Sequence, residues 1–277
     1  MKWKQFFTPA KNMDAKEARA YMQEHPEGTF ILLDVRQPGE YENSHIPGAK
    51  LIPLPELTER IEELDPEKPI ITYCAIGGRS RAASQLLKGK GFKEVYNLAG
   101  GIKAWEGSTA FGPVETGMTL FTGKESPQDA LKLAYGMEAG LSEFYLKAAE
   151  RIANSNTTEI LIKLAEIEER HKLRLIGLYR DLTKSPIEKE AFEKQVDASM
   201  MEGGFTTDEF LARHRASMES VTDTLSIAMM LETQAMDLYM RYAHKSLNED
   251  ARQILLGLAE EEKTHLARLS ELFQPVP

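Results

Sequence analysis

An internal repeat constrains this chain more than any other feature. Leu164-Ala165-Glu166-Ile167-Glu168-Glu169-Arg170-His171 matches Leu258-Ala259-Glu260-Glu261-Glu262-Lys263-Thr264-His265, and Met137-Glu138 with Tyr145 matches Leu231-Glu232 with Tyr239. The paired Glu, His and Tyr positions all stand 94 residues apart. One offset held over four positions means two copies of a helix hairpin. Amphipathic segments near 127–153, 157–182, 219–246 and 249–273 supply the helices. Short, long and short connections between them suit a four-helix bundle with one crossover. Ser126-Pro127-Gln128-Asp129 marks the bundle's start, with a capping hydroxyl, a first-turn proline and an acid near the helix dipole. The crossover, about 183–218, is expected to be helical in part, as at Thr207–Ser217.

The repeat carries a constellation of ligating side chains. Glu168 and His171 lie three apart, on one helix face, and Glu262 and His265 do the same. Glu138 and Glu232 add one carboxylate from each of the other two helices. Four Glu and two His disposed this way match the di-iron carboxylate pattern of helical bundles. Oxygen and imidazole donors suit iron or manganese, and two such ions balance the carboxylate charge. Glu138 sits among Leu133, Ala134, Met137 and Leu141, and Glu232 among Ala228, Met229, Leu231 and Ala235. An unpaired carboxylate buried there would cost several kcal/mol, an objection that a metal removes. Tyr145 and Tyr239 follow their glutamates by two helical turns and are expected beside the ligands. Glu166, Glu169, Glu260 and Glu261 read as surface charge, and His25, His214 and His244 as surface or capping residues.

The first 110 residues have a different texture. Thr29–Asp34, Lys50–Ile52, Ile70–Tyr73 and Val95–Leu98 read as strands. Asp14–Glu24, Leu54–Leu64 and Arg79–Lys90 carry helical spacing, the last closed by Gly89 and Gly91. Alternating strands and helices predict an α/β domain with a mainly parallel sheet. Glu106–Glu125 holds five glycines or prolines and no periodic segment. The expected division is therefore 1–110 for the α/β domain, 111–125 for a linker and 126–277 for the bundle.

Cys74 is the only cysteine. It cannot form an intrachain disulfide, and a four-thiolate electron-transfer module is excluded. The segment Cys74-Ala75-Ile76-Gly77-Gly78-Arg79-Ser80 follows a predicted strand and opens a predicted helix. The glycines let backbone N–H groups turn inward as an anion-binding nest, and the helix N-terminus with Arg79 adds positive potential. Such a setting lowers a thiol pKa and stabilises a persulfide anion or a bound oxyanion.

These residues resemble a single-domain rhodanese. The matching pieces are Leu33-Asp34-Val35-Arg36, Glu40-Tyr41, His45-Ile46-Pro47-Gly48-Ala49, Tyr73 to Ser80, and Leu98-Ala99-Gly100-Gly101-Ile102-Lys103-Ala104-Trp105. The resemblance implies sulfur transfer through a Cys74 persulfide, from a small-molecule donor such as thiosulfate or polysulfide to a thiol or cyanide. It also implies that a loop of six residues, cysteine to arginine inclusive, suits sulfur, whereas related phosphatases and arsenate reductases use a longer one. Asp34, Arg36 and Glu40 are expected in ion pairs near the site, His45 in a loop-holding hydrogen bond, and Arg81 at the mouth or in solvent.

Residues 127–273 resemble the ferritin-like, rubrerythrin-type family, and all six ligands have counterparts. That resemblance implies a di-iron centre reacting with peroxide or oxygen, and a homodimer formed through the bundle. Two departures stand out. The family's additional glutamate is replaced by Ala235, and its rubredoxin module is missing, so a peroxidase needs an external electron donor. A formal net charge of −9 disfavours nucleic acid. No apolar run reaches a membrane span, and the basic start Met1–Phe7 is followed by no apolar region, so the expectation is cytoplasmic. The leading expectation is a sulfurtransferase fused to a di-iron domain. The alternative is a persulfide sensor or carrier whose bundle stores metal without turnover.

Overall fold

The computed structural model describes residues 11–201, 204–207, 210 and 220–272. The chain forms two compact units that divide between Val114 and Glu115.

The first unit is a five-stranded sheet flanked by helices. Its strands are β1 (Lys11–Met13), β2 (Ile31–Asp34), β3 (Lys50–Leu51), β4 (Ile70–Tyr73) and β5 (Val95–Leu98). The order is β1-β5-β4-β2-β3, and every pairing is parallel. Side chains alternate across the sheet. Leu33, Ile70 and Val95 pack with Ala83 and Leu87 of α3 (Gly78–Gly89) on one face. Leu32, Ile71 and Tyr73 pack with Ala18 of α1 (Ala15–Glu24) and Tyr41 of α2 (Pro38–Asn43) on the other. A sheet covered on both faces explains why β2 and β4 are mainly apolar without alternation. β4 is the central strand, so its C-terminal end, where Cys74 begins, faces the crevice such sheets use for ligands.

The expected helix Leu54–Leu64 is corrected. Its place is taken by two short 3₁₀ turns, Leu54–Glu56 and Ile61–Glu63. The backbone bonds there span three residues, from the Leu57 N–H to Leu54 O and from the Leu64 N–H to Ile61 O, and such tight turns do not run on into a long helix.

The second unit is the four-helix bundle: α4 (Pro127–Arg151), α5 (Ser155–Thr183), α7 (Val221–Lys245) and α8 (Glu249–Leu272), with a short α6 (Lys189–Glu193) in the crossover. The repeat reaches the helix caps. Ser126 accepts from the Asp129 N–H at 3.2 Å, and Ser220 accepts from Asp223 at 3.1 Å. Asn154 Oδ1 accepts from the Thr157 N–H, and Asn248 Oδ1 accepts from Ala251. Each pair keeps the 94-residue offset, so both hairpins start and turn by the same local chemistry. The copies differ at Gly136 and Gly140, whose counterparts are Met230 and Gln234. A Cβ on Gly136 would lie 2.0 Å from Asp197 O, and one on Gly140 would lie 2.7 Å from Met200 O. The crossover thus rests on α4 backbone to backbone, which only glycine permits. Of the expected helix Thr207–Ser217, Thr207 and Phe210 are described and helical; the rest, with His214, lies outside the described residues.

The expected linker 111–125 is divided between the units. His45 and Ala110 exchange backbone hydrogen bonds of 2.8 Å, and the Gly112 N–H donates to Glu42 O at 2.7 Å, which fixes the stretch ahead of Val114 to the first unit. Beyond it, Arg241 donates to Thr116 O at 2.7 Å and the Tyr242 hydroxyl to Gly117 O at 2.8 Å. Phe121 is buried and stacks on Tyr242 at 4.6 Å. Buried backbone groups need partners, and α7 supplies them here. No described helix is long and apolar enough to cross a membrane.

Candidate active site and candidate metal centre

Cys74 leaves β4 into a tight loop and is 1% exposed. Its Sγ accepts the Gly77 N–H at 3.1 Å, and the Ser80 hydroxyl lies 3.5 Å away. Burial pushes the thiol pKa up. The Ser80 hydroxyl and the backbone N–H groups of Ser80, Ile76 and Gly77 outweigh it, so the pKa sits below the ordinary thiol value. This is the inward-turned nest that the glycines predict: Gly77 takes φ +94° to turn the chain into α3. Ala75 is half-buried, Gly78 is exposed, and Ile76 stands 67% exposed at the loop's tip.

Arg79 is held by Glu40 in a bidentate pair, 2.7 Å at each nitrogen. Hydrogen bonding from Arg79 lowers the Glu40 carboxyl to about 2. The Glu40 Oε2 also accepts the Gln37 N–H at the start of α2, so one carboxylate caps a helix and aims the loop arginine. Arg36 and Asp34 form a second, fully buried pair. Arg36 also donates to Ser44 O at 2.7 Å, which fixes the chain behind the site. His45 stacks on Tyr41 at 3.6 Å and its Nδ1 donates to Tyr41 O, a loop-holding role. Arg81 is exposed. His25 closes α1, its ring stacked on Tyr21, and His244 is exposed in the last turn of α7.

Sequence reasoning did not assign a role to the residues behind the loop. A Cβ on Gly101 would lie 2.2 Å from Cys74 O and 2.7 Å from Ile76 N. The Ile102 N–H donates to Cys74 O at 2.8 Å, and the Lys103 N–H to Ala75 O at 3.2 Å. The Gly100-Gly101 turn therefore braces the nucleophile loop from below. The adjacent glycines following a strand were the available signal.

In the second unit the six candidate ligands gather as two groups: Glu138, Glu168 and His171, and Glu232, Glu262 and His265. Within each, the potential donor atoms lie within 4.8 Å of one another. All four carboxylates are buried. His171 Nδ1 is 2.9 Å from Glu168 Oε2 and 3.5 Å from Glu138 Oε2. His265 Nδ1 is 2.9 Å from Glu262 Oε2 and 3.3 Å from Glu232 Oε2. The two imidazoles stack face to face at 3.9 Å, so the groups adjoin at one centre. Burial pushes Glu232 up, but its hydrogen bonds with Glu262 and His265 hold it below the ordinary carboxylate value.

The donor set fits a pair of cations. Glu168 Oε1 is buried without a hydrogen-bond partner, a costly state for a carboxylate oxygen in a helical core. Two imidazoles cannot neutralise four buried carboxylates, whereas two divalent ions can. Tyr145 and Tyr239, expected beside the ligands, are buried in two different core clusters. Glu261, expected at the surface, is half-buried and pairs with Arg174 at 2.6 Å. Glu169 pairs with Lys189 at 3.1 Å, and Glu260 with Lys263 at 3.3 Å. Ala235 is buried in the core.

A cysteine-loop α/β unit joined in one chain to a carboxylate–histidine helical bundle defines a fusion of rhodanese and ferritin-like domains. A family model described as rhodanese-like domain matches residues 14–108, and one described as rubrerythrin matches residues 129–273. The chain belongs to the rubrerythrin family and carries a rhodanese-like domain ahead of it. The family implies di-iron binding, for which the two groups are the candidate ligands. Protein YqhL of Bacillus subtilis (strain 168) is 47% identical over 76 residues, which make up 27% of this chain and 60% of that protein. Thiosulfate sulfurtransferase GlpE of Coxiella burnetii (strain RSA 331 / Henzerling II) is 41% identical over 77 residues, 28% of this chain and 72% of that one. A crystal structure of a rhodanese-like domain protein from Staphylococcus aureus covers 36% of this chain and 97% of its own, at 25% identity and a TM-score of 0.34.

Proposed function

We propose that the chain is a sulfurtransferase that moves sulfane sulfur through a Cys74 persulfide, tethered to a di-metal oxidoreductase bundle. The observation that carries this reading is the Cys74 loop. A buried sulfur with a lowered pKa meets inward N–H groups, beside an arginine aimed by Glu40. In the first half-reaction the thiolate attacks the outer sulfur of thiosulfate. The donor's S–S bond breaks and sulfite leaves with its electron pair. Loop N–H groups and Arg79 hold the anionic donor, then the Cys74 persulfide. In the second half-reaction cyanide or an external thiolate attacks the terminal sulfur, and the Cys74 thiolate is restored. Cys74 has no partner cysteine in this chain, so the acceptor comes from outside. GlpE's thiosulfate sulfurtransferase name supports thiosulfate as donor, as does the six-residue loop.

In the bundle, Glu138, Glu168, His171, Glu232, Glu262 and His265 would hold two iron or manganese ions. Bound there, the pair supplies redox chemistry toward peroxide or oxygen, with electrons from an external donor. The protein's own contribution is a dry cage, because all four carboxylates are buried.

Thiosulfate:cyanide transfer by the native protein and by Cys74→Ser tests the first activity. Transfer that depends on Cys74 supports it, and equal rates refute it. Metal content and near-ultraviolet absorption after iron reconstitution test the second. Less than one ion per chain would remove it.

A further inference from the structure

The Ser80 hydroxyl stands between two acceptors and has one proton to give. Its Oγ lies 2.6 Å from Asn97 Oδ1 and 3.5 Å from Cys74 Sγ. The first distance is that of a good O–H···O bond, so in the resting site the Ser80 hydroxyl donates to Asn97 Oδ1. A neutral Cys74 thiol can then donate to the lone pairs of Ser80.

Asn97 is placed for this. It lies on β5 at 0% exposure, and its Nδ2 donates to Asn12 Oδ1 on β1 at 2.8 Å, which turns its own Oδ1 toward Ser80. The backbone of Ser80 is pinned separately. The Ser80 carbonyl lies 2.9 Å from Ser84 Oγ and 3.0 Å from Thr72 Oγ1, and these two hydroxyls, 2.7 Å apart, share the donation to it. The hydroxyl can therefore turn from one acceptor to the other while the loop stays still.

We propose that Asn97 is a positioning residue for Cys74: it holds the Ser80 proton off the resting thiol and yields it to the sulfur once that sulfur is charged, as thiolate or persulfide. The persulfide half of the statement rests on the proposed sulfur transfer; the thiolate half does not. The change is a rotation about the Ser80 C–O bond, and the proton stays on its oxygen throughout. The charged groups nearest the loop are already paired, Arg79 with Glu40 and Arg36 with Asp34, and substitution at Asn97 removes neither pair.

The test is the pH dependence of Cys74 alkylation by iodoacetamide in the full-length protein, which reads the thiolate fraction without any sulfur donor. Asn97→Ala frees the Ser80 proton for sulfur, and the thiolate fraction below the midpoint rises by about two- to tenfold, the worth of one shared hydrogen bond. Ser80→Ala lowers the fraction by a similar factor. Asn97→Ala added to Ser80→Ala changes nothing further, because Asn97 acts only through the serine. Asn12→Ala, on the edge strand, shifts the titration in the same direction as Asn97→Ala but less, and it decides the matter by the same double-variant comparison should Asn97→Ala fail to fold. An unchanged titration in Asn97→Ala, or an equal shift with and without Ser80, overturns the proposal. Thiosulfate:cyanide transfer is measured in parallel: its absence in the native protein with the coupling intact would refute the proposed function and leave Asn97's role standing.

Discussion

Arg79 presents both terminal nitrogens to Glu40, each at 2.7 Å, across 39 residues of sequence. The pair joins the nucleophile loop to the start of α2 and decides where the loop's positive charge points.

The pair has a defined pH window. Arg79 lowers the Glu40 carboxyl from 4.5 to about 2. A folded-state value below the unfolded one stabilises the protein fully above the unfolded pKa, and the contribution is lost as pH falls through about 2. Both side chains are partly exposed, so the effect is at most about 1 kcal/mol. Glu40→Gln is expected to remove the part of the stability that changes between these limits, measured by urea unfolding at stepped pH. It should raise the KM for thiosulfate several-fold while kcat changes less, because Arg79 loses its anchor.

Two glycines near Cys74 are expected to respond in opposite ways. Gly101→Ala places a Cβ 2.2 Å from Cys74 O at φ +60°. It should cost roughly 3 kcal/mol and abolish most transfer. Gly78 opens α3 with nothing within 4 Å of its Cβ position. Gly78→Ala should fold normally and keep the Cys74 alkylation rate within about twofold. Thermal melting with alkylation kinetics checks both.

The bundle makes a parallel prediction. A Cβ on Gly136 meets Asp197 O at 2.0 Å. Gly136→Ala should lift the crossover from α4 and destabilise the helical unit by about 2–3 kcal/mol, despite alanine's better helix propensity. The comparison substitution is Gly177→Ala on α5, where nothing lies within 4 Å, and it should be neutral or mildly stabilising.

Metal stoichiometry tests the two-group reading of the ligands. The native protein should take up two ions per chain, one for each group of Glu, Glu and His. Glu168→Ala with His171→Ala should lose at least one of them, and Glu262→Ala with His265→Ala should do the same. Loading should raise the midpoint of thermal unfolding in the native protein, because ions that bind only the folded state stabilise it by mass action. Unchanged binding in both double variants would remove the assignment.

The legibility of these features in the sequence follows their physics. β2 and β4 are covered on both faces and read as apolar runs, and the six ligands are marked by a repeat. β1 is a three-residue edge, Lys-Asn-Met, with no periodicity to read, and α2 is six residues long. Leu54–Leu64 carries helical spacing, but apolar residues three apart are served equally by two 3₁₀ turns, and spacing does not tell them from one α-helix. The role of Asn97 depends on β5 lying beside both β4 and β1, which is a matter of strand order. The brace under Cys74 depends on Gly101 meeting the loop across 27 residues of sequence. The Asn97 contact has no local signature, and the brace has only the paired glycines that follow β5.

Sulfur transfer through Cys74 is read from the intact mass of the protein after brief exposure to thiosulfate and removal of excess reagent, then again after cyanide. The expected result is a gain of one sulfur atom located at Cys74, absent in Cys74→Ser and discharged by cyanide as thiocyanate. A protein that gains no sulfur, or gains it equally in Cys74→Ser, would contradict it.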